Sequence, residues 1–324
     1  MAVDTNALLT IQDLVRWSAC RFADARLHFG HGTDNAFDEA AWLIASSLNM
    51  PLEHIGPYRE CRVTEDERTA VLALVRRRIV ERRPAAYLIG QTRFAGMEFI
   101  VNDSVMIPRS PIAELIADGF APWVDPERIH RVLDLCTGCG CLGIALAAYL
   151  PEIEVDLADI SPAALRIAAR NLALHDLDDR VRIIESDLFA GIGQIGGSPS
   201  AASITEPASE QIYDIIISNP PYVGNEEMES LPAEYQHEPR LALAAGETGL
   251  DLVLRILRDA PDYLDDEGIL VVEVGNTAAA LQACFPDLPF TWLDFEHGGE
   301  GVFLLRREEL VQGHQRFSEA VANL

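Results

Sequence analysis

An α/β fold, a mostly parallel sheet covered by helices on both faces, is predicted for residues 109–310, joined by a β-hairpin linker over 91–108 to a small all-helical region over 1–90. Three observations predict it. From position 132 the chain repeats strand, turn and helix, which is the pattern of a parallel sheet. Before position 84 apolar residues recur only at helical spacing. The first of the predicted strands runs into a glycine-rich turn, and the next two end in acidic residues.

Over 8–80, Ile11, Leu14, Val15, Ala19 and Phe22 fall on one helix face, as do Ala41, Ile44, Ala45 and Leu48. A third helix is predicted over 65–83, stopping at Pro84. Its Arg76, Arg77 and Arg78, with Arg82 and Arg83, form a basic cluster. A grip on RNA or an acidic patch is one reading, and a solvated helix face is the preferred one. Residues 94–106 alternate around Asp103 and Ser104 as a hairpin leading to Pro108 would.

Strands are then predicted at 132–135, 155–158, 181–184, 212–217 and 269–274, followed by the pair 291–295 and 302–305. Ser161 and Pro162 supply a cap and a first-turn proline for a helix over 163–174. The stretch 191–210, rich in Gly, Ser, Ala and Pro, breaks the rhythm and is expected as a flexible surface insertion. Residues 311–324 are expected as a C-terminal tail.

The chain has 324 residues, 49% of them hydrophobic, enough for a large core. Its net charge is -26, and all 25 of its basic Lys+Arg positions are arginine. Such acidity argues against a broad nucleic-acid surface. It suits a basic protein partner, or serves solubility in a salty cytoplasm, the reading given more weight. Neither a signal peptide nor a bilayer-spanning run is visible, so a cytoplasmic location without membrane attachment is expected. Six cysteines do not make a disulfide framework. Cys136 and Cys139 have C-x-x-C spacing with Cys141 beside them, yet no second pair completes a zinc site, so no metal is expected.

Asp134-Leu135-Cys136-Thr137-Gly138-Cys139-Gly140 joins the first strand of the sheet to a helix. Glycines there let a ligand approach the backbone at the carboxyl edge, where such sheets bind nucleotides. Neither the dinucleotide glycine spacing nor a Walker lysine is present. The second strand ends in Asp159, placed to accept both hydroxyls of a ribose, and the third leads to Asp187 and Leu188, placed for an adenine amino group and ring. An adenosine without a phosphate tail needs this set, and the cofactor it points to is S-adenosylmethionine.

Asn219-Pro220-Pro221-Tyr222 closes the apolar run 212–217. Asn219 offers a carbonyl, the prolines free the Asn219 and Pro220 backbone carbonyls from any helix, and Tyr222 supplies an aromatic wall. A planar amide or amino-purine NH2 fits such a cup with its lone pair aimed outward.

On the glycine loop, this tetrapeptide, the segment 84–90 and Ile107-Pro108-Arg109, the chain resembles the class I methyltransferases, and specifically the protein-glutamine amide methyltransferases. The resemblance extends over nearly the whole chain. It implies a Rossmann-like, mostly parallel seven-stranded sheet behind a helical substrate-recognition domain. It also implies that residues 136–140 with Asp134, Asp159, Asp187, Leu188 and Asn219 hold S-adenosylmethionine. Asn219, Pro220, Pro221 and Tyr222, with Arg109, would then hold the glutamine, and Asn219, Pro220 and Tyr222 act on it. After the hairpin the release-factor branch reads Ile-Pro-Arg-Pro-Asp-Thr-Glu, whereas this chain is one residue longer, Arg109-Ser110-Pro111-Ile112-Ala113-Glu114. That departure, with residues 246–251 and 290–303, favours the branch acting on large-subunit ribosomal protein three. Release factors are the alternative substrate. Adenine-N6 methylation of DNA uses a related cup but needs a basic groove. A catalytically idle, adenosine-binding assembly factor is the remaining reading.

Overall fold

In the computed structural model, which describes residues 5–193 and 212–324, the chain opens with helices. These are α1 (Ile11–Asp24), α2 (Ala36–Ser47), the single turn α3 (Ile55–Tyr58), α4 (Glu65–Glu81) and α5 (Ala85–Ile89). Thr10 and Thr64 start α1 and α4 with reciprocal capping boxes to Asp13 and Glu67. Leu14, Phe22, Leu43, Ile44, Val71 and Val75 form a core belonging to this part of the chain.

The hairpin follows as β1 (Gln91–Phe94) and β2 (Met97–Ile100). Its turn is Ala95-Gly96, with φ of 46° and 73°, and not the predicted Asp103-Ser104. Two consecutive left-handed residues match the twist of paired strands. Asn102 instead bends the chain locally, its Oδ1 accepting from the Ser104 N–H at 2.9 Å, a side-chain turn with no strand returning from it.

After α6 (Ile112–Ala117) come β3 (Arg131–Leu135), α7 (Cys141–Tyr149), β4 (Glu154–Asp159), α8 (Pro162–Leu174) and β5 (Val181–Glu185). Next are β6 (Tyr213–Ser218), α9 (Asn225–Ser230), α10 (Asp251–Asp259), β7 (Leu264–Glu273) and α11 (Ala278–Cys284). The chain finishes with β8 (Thr291–Leu293), β9 (Val302–Arg306) and α12 (Arg307–Val321). Ser161 caps α8 as expected, accepting from the Ala164 N–H. The seven strands of the large sheet are ordered β5-β4-β3-β6-β7-β9-β8, and only β9 runs antiparallel to its neighbours. This is the Rossmann-like seven-stranded sheet the resemblance implied.

Both faces of the central strands are covered, with Val132, Ile215, Ile217 and Val271 packed on one side and Leu133, Ile216, Leu270 and Val272 on the other. That explains why the strands read as unbroken apolar runs. Residues 311–324, expected as a tail, lie mostly within α12, whose Leu310, Gly313 and Phe317 are buried. Of the insertion expected at 191–210, residues 194–210 lie outside the described residues. Among the described residues no helix is long and apolar enough to cross a membrane.

Arg78 corrects the expectation of a solvated arginine face. Its side chain is fully buried, with Nε donating to Glu39 Oε1 at 2.7 Å, Nη1 facing Glu234 Oε1 at 3.5 Å and Nη2 donating to the His28 carbonyl at 3.0 Å. Arg82 adds a contact to Glu234 at 2.8 Å. Arg76 and Arg77 are exposed as expected, whereas Arg78 and Arg82 grip the chain's own carboxylates and carbonyls and tie α4 to the segment after the Asn219 loop.

Candidate active site

Strand order reverses between β3 and β6, because β4 and β5 lie to one side of β3 and β7 to the other side of β6. Loops leaving two strands at such a point open a crevice. Leu135 is the register partner of Ser218, and Ser218 Oγ donates to the Leu135 carbonyl at 2.8 Å. The glycine loop and the Asn219 loop therefore start side by side.

In the glycine loop, Cys136 and Gly138 both have φ of 58°. A Cβ on Gly138 would meet nothing within 4 Å, so the backbone conformation, not crowding, selects glycine there. Gly140, with φ of 85°, turns the chain into α7 and stands behind the cavity wall. At Gly143 space decides, since a Cβ would come within 2.3 Å of Leu157 Cδ2.

Asp134, expected at the cofactor, does not line the cavity. It is fully buried beneath the loop, with Oδ2 accepting from Thr137 Oγ1 at 2.5 Å and from the Gly143 N–H at 3.0 Å. Its side chain points to the α7 side of β3, so it shapes the loop from below. Burial pushes its carboxyl up to about 7, against the pull of those two hydrogen bonds. A carboxyl raised in the folded state stabilises fully at low pH, and that contribution is lost as pH rises through about 7. The stability of Asp134→Asn relative to the native protein should therefore improve by a few kcal/mol, order of magnitude, from pH 5 to pH 8. Urea unfolding at the two pH values checks this, and an unchanged difference refutes it.

The cavity beside this loop is walled by Cys136, Thr137, Gly138 and Cys139 on one side, and by Asp159, Asp187 and Leu188 on the other. Asp159 ends β4 with Oδ2 accepting from the Gly138 N–H at 2.9 Å and Oδ1 from the Ser161 N–H at 2.8 Å. Burial raises its carboxyl, while these backbone bonds oppose the rise. Each oxygen keeps a further lone pair for a hydroxyl donor. Asp187 is pinned at the rim by Arg255 at 2.9 Å, and Leu188 presents a buried apolar surface next to it. Burial, then the charge of Asp159, pushes the Cys136 thiol well up, so it stays neutral. The residues present fit an adenosine: a carboxylate for ribose, another at the base edge, an apolar platform and an open glycine.

A second cavity holds Asn219, Pro220, Tyr222, Tyr235, Leu231 and Asn276 in its wall. Met106, Arg109, Asn219 and Ala242 line both cavities, so the two are neighbours with Asn219 in the wall of each. Pro221 faces the first cavity and Pro220 and Tyr222 the second. Asn219 Oδ1 is buried and has no hydrogen-bond partner. An unsatisfied buried carbonyl is costly unless a ligand completes it.

Arg109, expected to meet substrate directly, is bidentate to Glu238, with distances of 2.7 and 2.6 Å. Its guanidinium lies over the Tyr235 ring at 5.1 Å. Glu238 Oε1 also accepts from the Ile107 N–H at 3.0 Å. Arg109 thus clamps the hairpin exit to the 235–238 turn while still forming part of both cavity walls.

Glu273, at the end of β7, escaped sequence reasoning. Its Oε2 accepts from Ser110 Oγ at 2.6 Å and its Oε1 from the Tyr222 hydroxyl at 3.3 Å. The available signal was an acid inside the apolar run 269–274, where an unpaired charge does not belong. Glu238 and Tyr235 carried no local signal, since their partners are distant in sequence.

The family model described as "Methyltransferase small domain" matches residues 120–234. The ribosomal protein uL3 glutamine methyltransferase of Neisseria meningitidis serogroup B is 46% identical over 305 residues, covering 94% of this chain and 95% of the relative. The enzyme of the same description from Bordetella pertussis is 45% identical over 304 residues, covering 94% of this chain and 97% of the relative. Among solved structures, the hMettl16 catalytic domain superposes with a TM-score of 0.46 at 16% identity, over 75% of this chain and 81% of that one. With near-complete coverage at that level of identity to the curated relatives, the chain belongs to the family of ribosomal protein uL3 glutamine methyltransferases.

Proposed function

We propose that the protein transfers a methyl group from S-adenosylmethionine to the side-chain amide nitrogen of a glutamine in ribosomal protein uL3, in the cytoplasm. One observation carries the reading: a buried Asn219 carbonyl oxygen without a partner, on a residue in the wall of two neighbouring cavities. Asp159, Asp187, Leu188 and the loop 136–139 would hold the cofactor, with Asp134 and Gly140 supporting that loop from behind. When bound, the cofactor supplies a methyl group already activated on a sulfonium.

The task left to the chain is to present a poor nucleophile. An amide nitrogen is conjugated, and attack requires its lone pair to leave the plane. Asn219 Oδ1 and the Pro220 carbonyl, accepting its two hydrogens, favour that pyramidal form and stabilise the positive charge that grows there. Tyr222 walls the glutamine and helps exclude water, while Pro221 faces the cofactor cavity. No strong base is required, since the departing proton becomes acidic as the bond forms. The helical region 1–90 would contact the substrate protein, whose basic surface suits a chain of net charge -26.

Incubation with labelled cofactor and, separately, uL3, a release factor and adenine-containing DNA tests the assignment. Label on one uL3 glutamine, located by mass spectrometry and lost on its replacement, is the expected result. Label confined to the release factor or to DNA overturns the substrate, and label on none overturns the reaction.

A further inference from the structure

Among the described residues, none before Ser104 lines either cavity, so the helical region bears on the site only through what it holds in place. What it holds is the turn Ala233–His237 and the residue that follows it. Glu234, fully buried, accepts from the His28 N–H at 3.1 Å and pairs with Arg82 at 2.8 Å. His237 Nε2 meets the Glu81 carbonyl at 2.9 Å, and Glu238 grips Arg109 at the hairpin exit. Of residues 232–238, only Tyr235 then stands in the wall of the second cavity.

The Tyr235 ring is itself fixed by the helical region. The buried His31 ring lies 4.5 Å from it and the His28 ring 5.5 Å, while the Arg109 guanidinium lies over it at 5.1 Å. Its hydroxyl ends beside the loop after α1, where a Cβ on Gly30 would stand 4.0 Å away. Neither His31 nitrogen has a hydrogen-bond partner, so that ring contributes packing rather than hydrogen bonds.

We propose that Tyr235 is a specificity-determining residue of the acceptor cavity: its ring packs against the methylene stem of the substrate glutamine, and His31 sets its position from the helical region. The inference rests on the amide-methylating reading above and deepens it. A glutamine side chain has one polar end and two methylenes, and Asn219 with Pro220 serves only the end. Met106, Val223, Leu231 and Leu243 make much of the second cavity apolar. Its polar side chains other than Asn219 and Tyr235 are engaged, Asn276 with Glu227 at 2.7 Å, Arg109 with Glu238 and the Tyr222 hydroxyl with Glu273. An aromatic ring gives the stem a large contact area. Because neighbours already hold it, little freedom is lost when substrate arrives. The acceptor cavity is thus built jointly by the sheet and the helical region.

The test measures uL3 methylation and cofactor binding in Tyr235→Ala, Tyr235→Phe, His31→Ala and the double variant Tyr235→Ala with His31→Ala. Tyr235→Ala should raise KM for uL3 roughly 10-fold, with kcat changed less and the dissociation constant for S-adenosylmethionine held within about twofold. Tyr235→Phe keeps the ring and should recover most of that loss. His31→Ala should raise KM about threefold alone and add little to Tyr235→Ala, as expected of a residue that acts through its neighbour. Unchanged KM in Tyr235→Ala, or full additivity in the double variant, overturns the proposal. Should the alanine variants fold poorly, Tyr235→p-azidophenylalanine decides. Irradiated with uL3 and S-adenosylhomocysteine, it should join the uL3 tryptic fragment that carries the methylated glutamine, and capture of other fragments alone, or of none, overturns the contact. Native turnover in Asn219→Ala instead removes the underlying cup, so failure of the Tyr235 wall and failure of the amide site are told apart.

Discussion

Asn219→Ala is expected to lower turnover roughly 100-fold or more, by analogy with loss of one preorganised charge-stabilising group. Affinity for S-adenosylmethionine should change about twofold at most, because the walls of the first cavity are otherwise intact. The asymmetry follows from when the interaction matters. Asn219 Oδ1 is unpartnered on a residue in the wall of both cavities, so it contributes little to holding either ligand in the ground state. It matters when the amide nitrogen pyramidalises and its hydrogens become strong donors. A group whose interaction strengthens only at that stage lowers kcat and kcat/KM together when removed. Steady-state kinetics with a glutamine substrate, alongside calorimetric titration of the cofactor, separate the two quantities. Turnover unchanged in this variant removes the proposed role of the cup, and a matching collapse of cofactor affinity reassigns Asn219 to the cofactor.

The sequence displayed the elements of this site whose chemistry is local. Parallel strands covered on both faces need apolar residues at most positions, so β3, β4, β6 and β7 stood out as runs; the carboxyl ends of β3, β4 and β6 located the glycine loop, Asp159 and Asn219, and that of β5 located Asp187, without knowledge of pairing. Direction was harder. Asp134 looked like a cavity residue because it precedes the glycines, but it is the fourth residue of a five-residue strand and points into the packing under α7. Glu273 was invisible for another reason: its partners Ser110 and Tyr222 lie 163 and 51 residues away in sequence, and no periodic pattern carries information over such separations. The hairpin turn was misplaced because Asp103-Ser104 has stronger turn composition than Ala95-Gly96, and composition does not say whether a second strand returns. Arg78 had a readable signal that went unused. It follows Val71 and Val75 at helical spacing, and these three are the buried residues of α4, so the stripe itself placed the guanidinium inside.

That buried guanidinium carries the largest stability effect expected in the chain. Arg78→Met removes the cation between Glu39 and Glu234, both fully buried, and leaves Glu39 without a cation while Glu234 keeps only Arg82. Breaking a buried pair from one side costs about 3 to 5 kcal/mol, mostly the penalty of the stranded charge. Glu39 is the more exposed to that penalty, because burial already raises its carboxyl and Arg78 is what pulls it back. Adding Glu39→Leu to Arg78→Met should therefore recover a substantial part of the loss, since an apolar pair of similar volume is often near neutral. Urea unfolding of the two variants distinguishes lost hydrogen bonding from stranded charge, and a double variant less stable than Arg78→Met overturns the electrostatic account. The site should feel the change as well. Glu234 accepts from the His28 N–H at 3.1 Å and opens the 3-10 turn Ala233–His237. That turn carries Tyr235 and leads to Glu238, the pair that holds Arg109 in the wall of both cavities. Loosening the turn should raise KM for the protein substrate more than it alters cofactor affinity. A stability loss accompanied by unchanged substrate KM would show that the clamp on Arg109 stands without the arginine of α4.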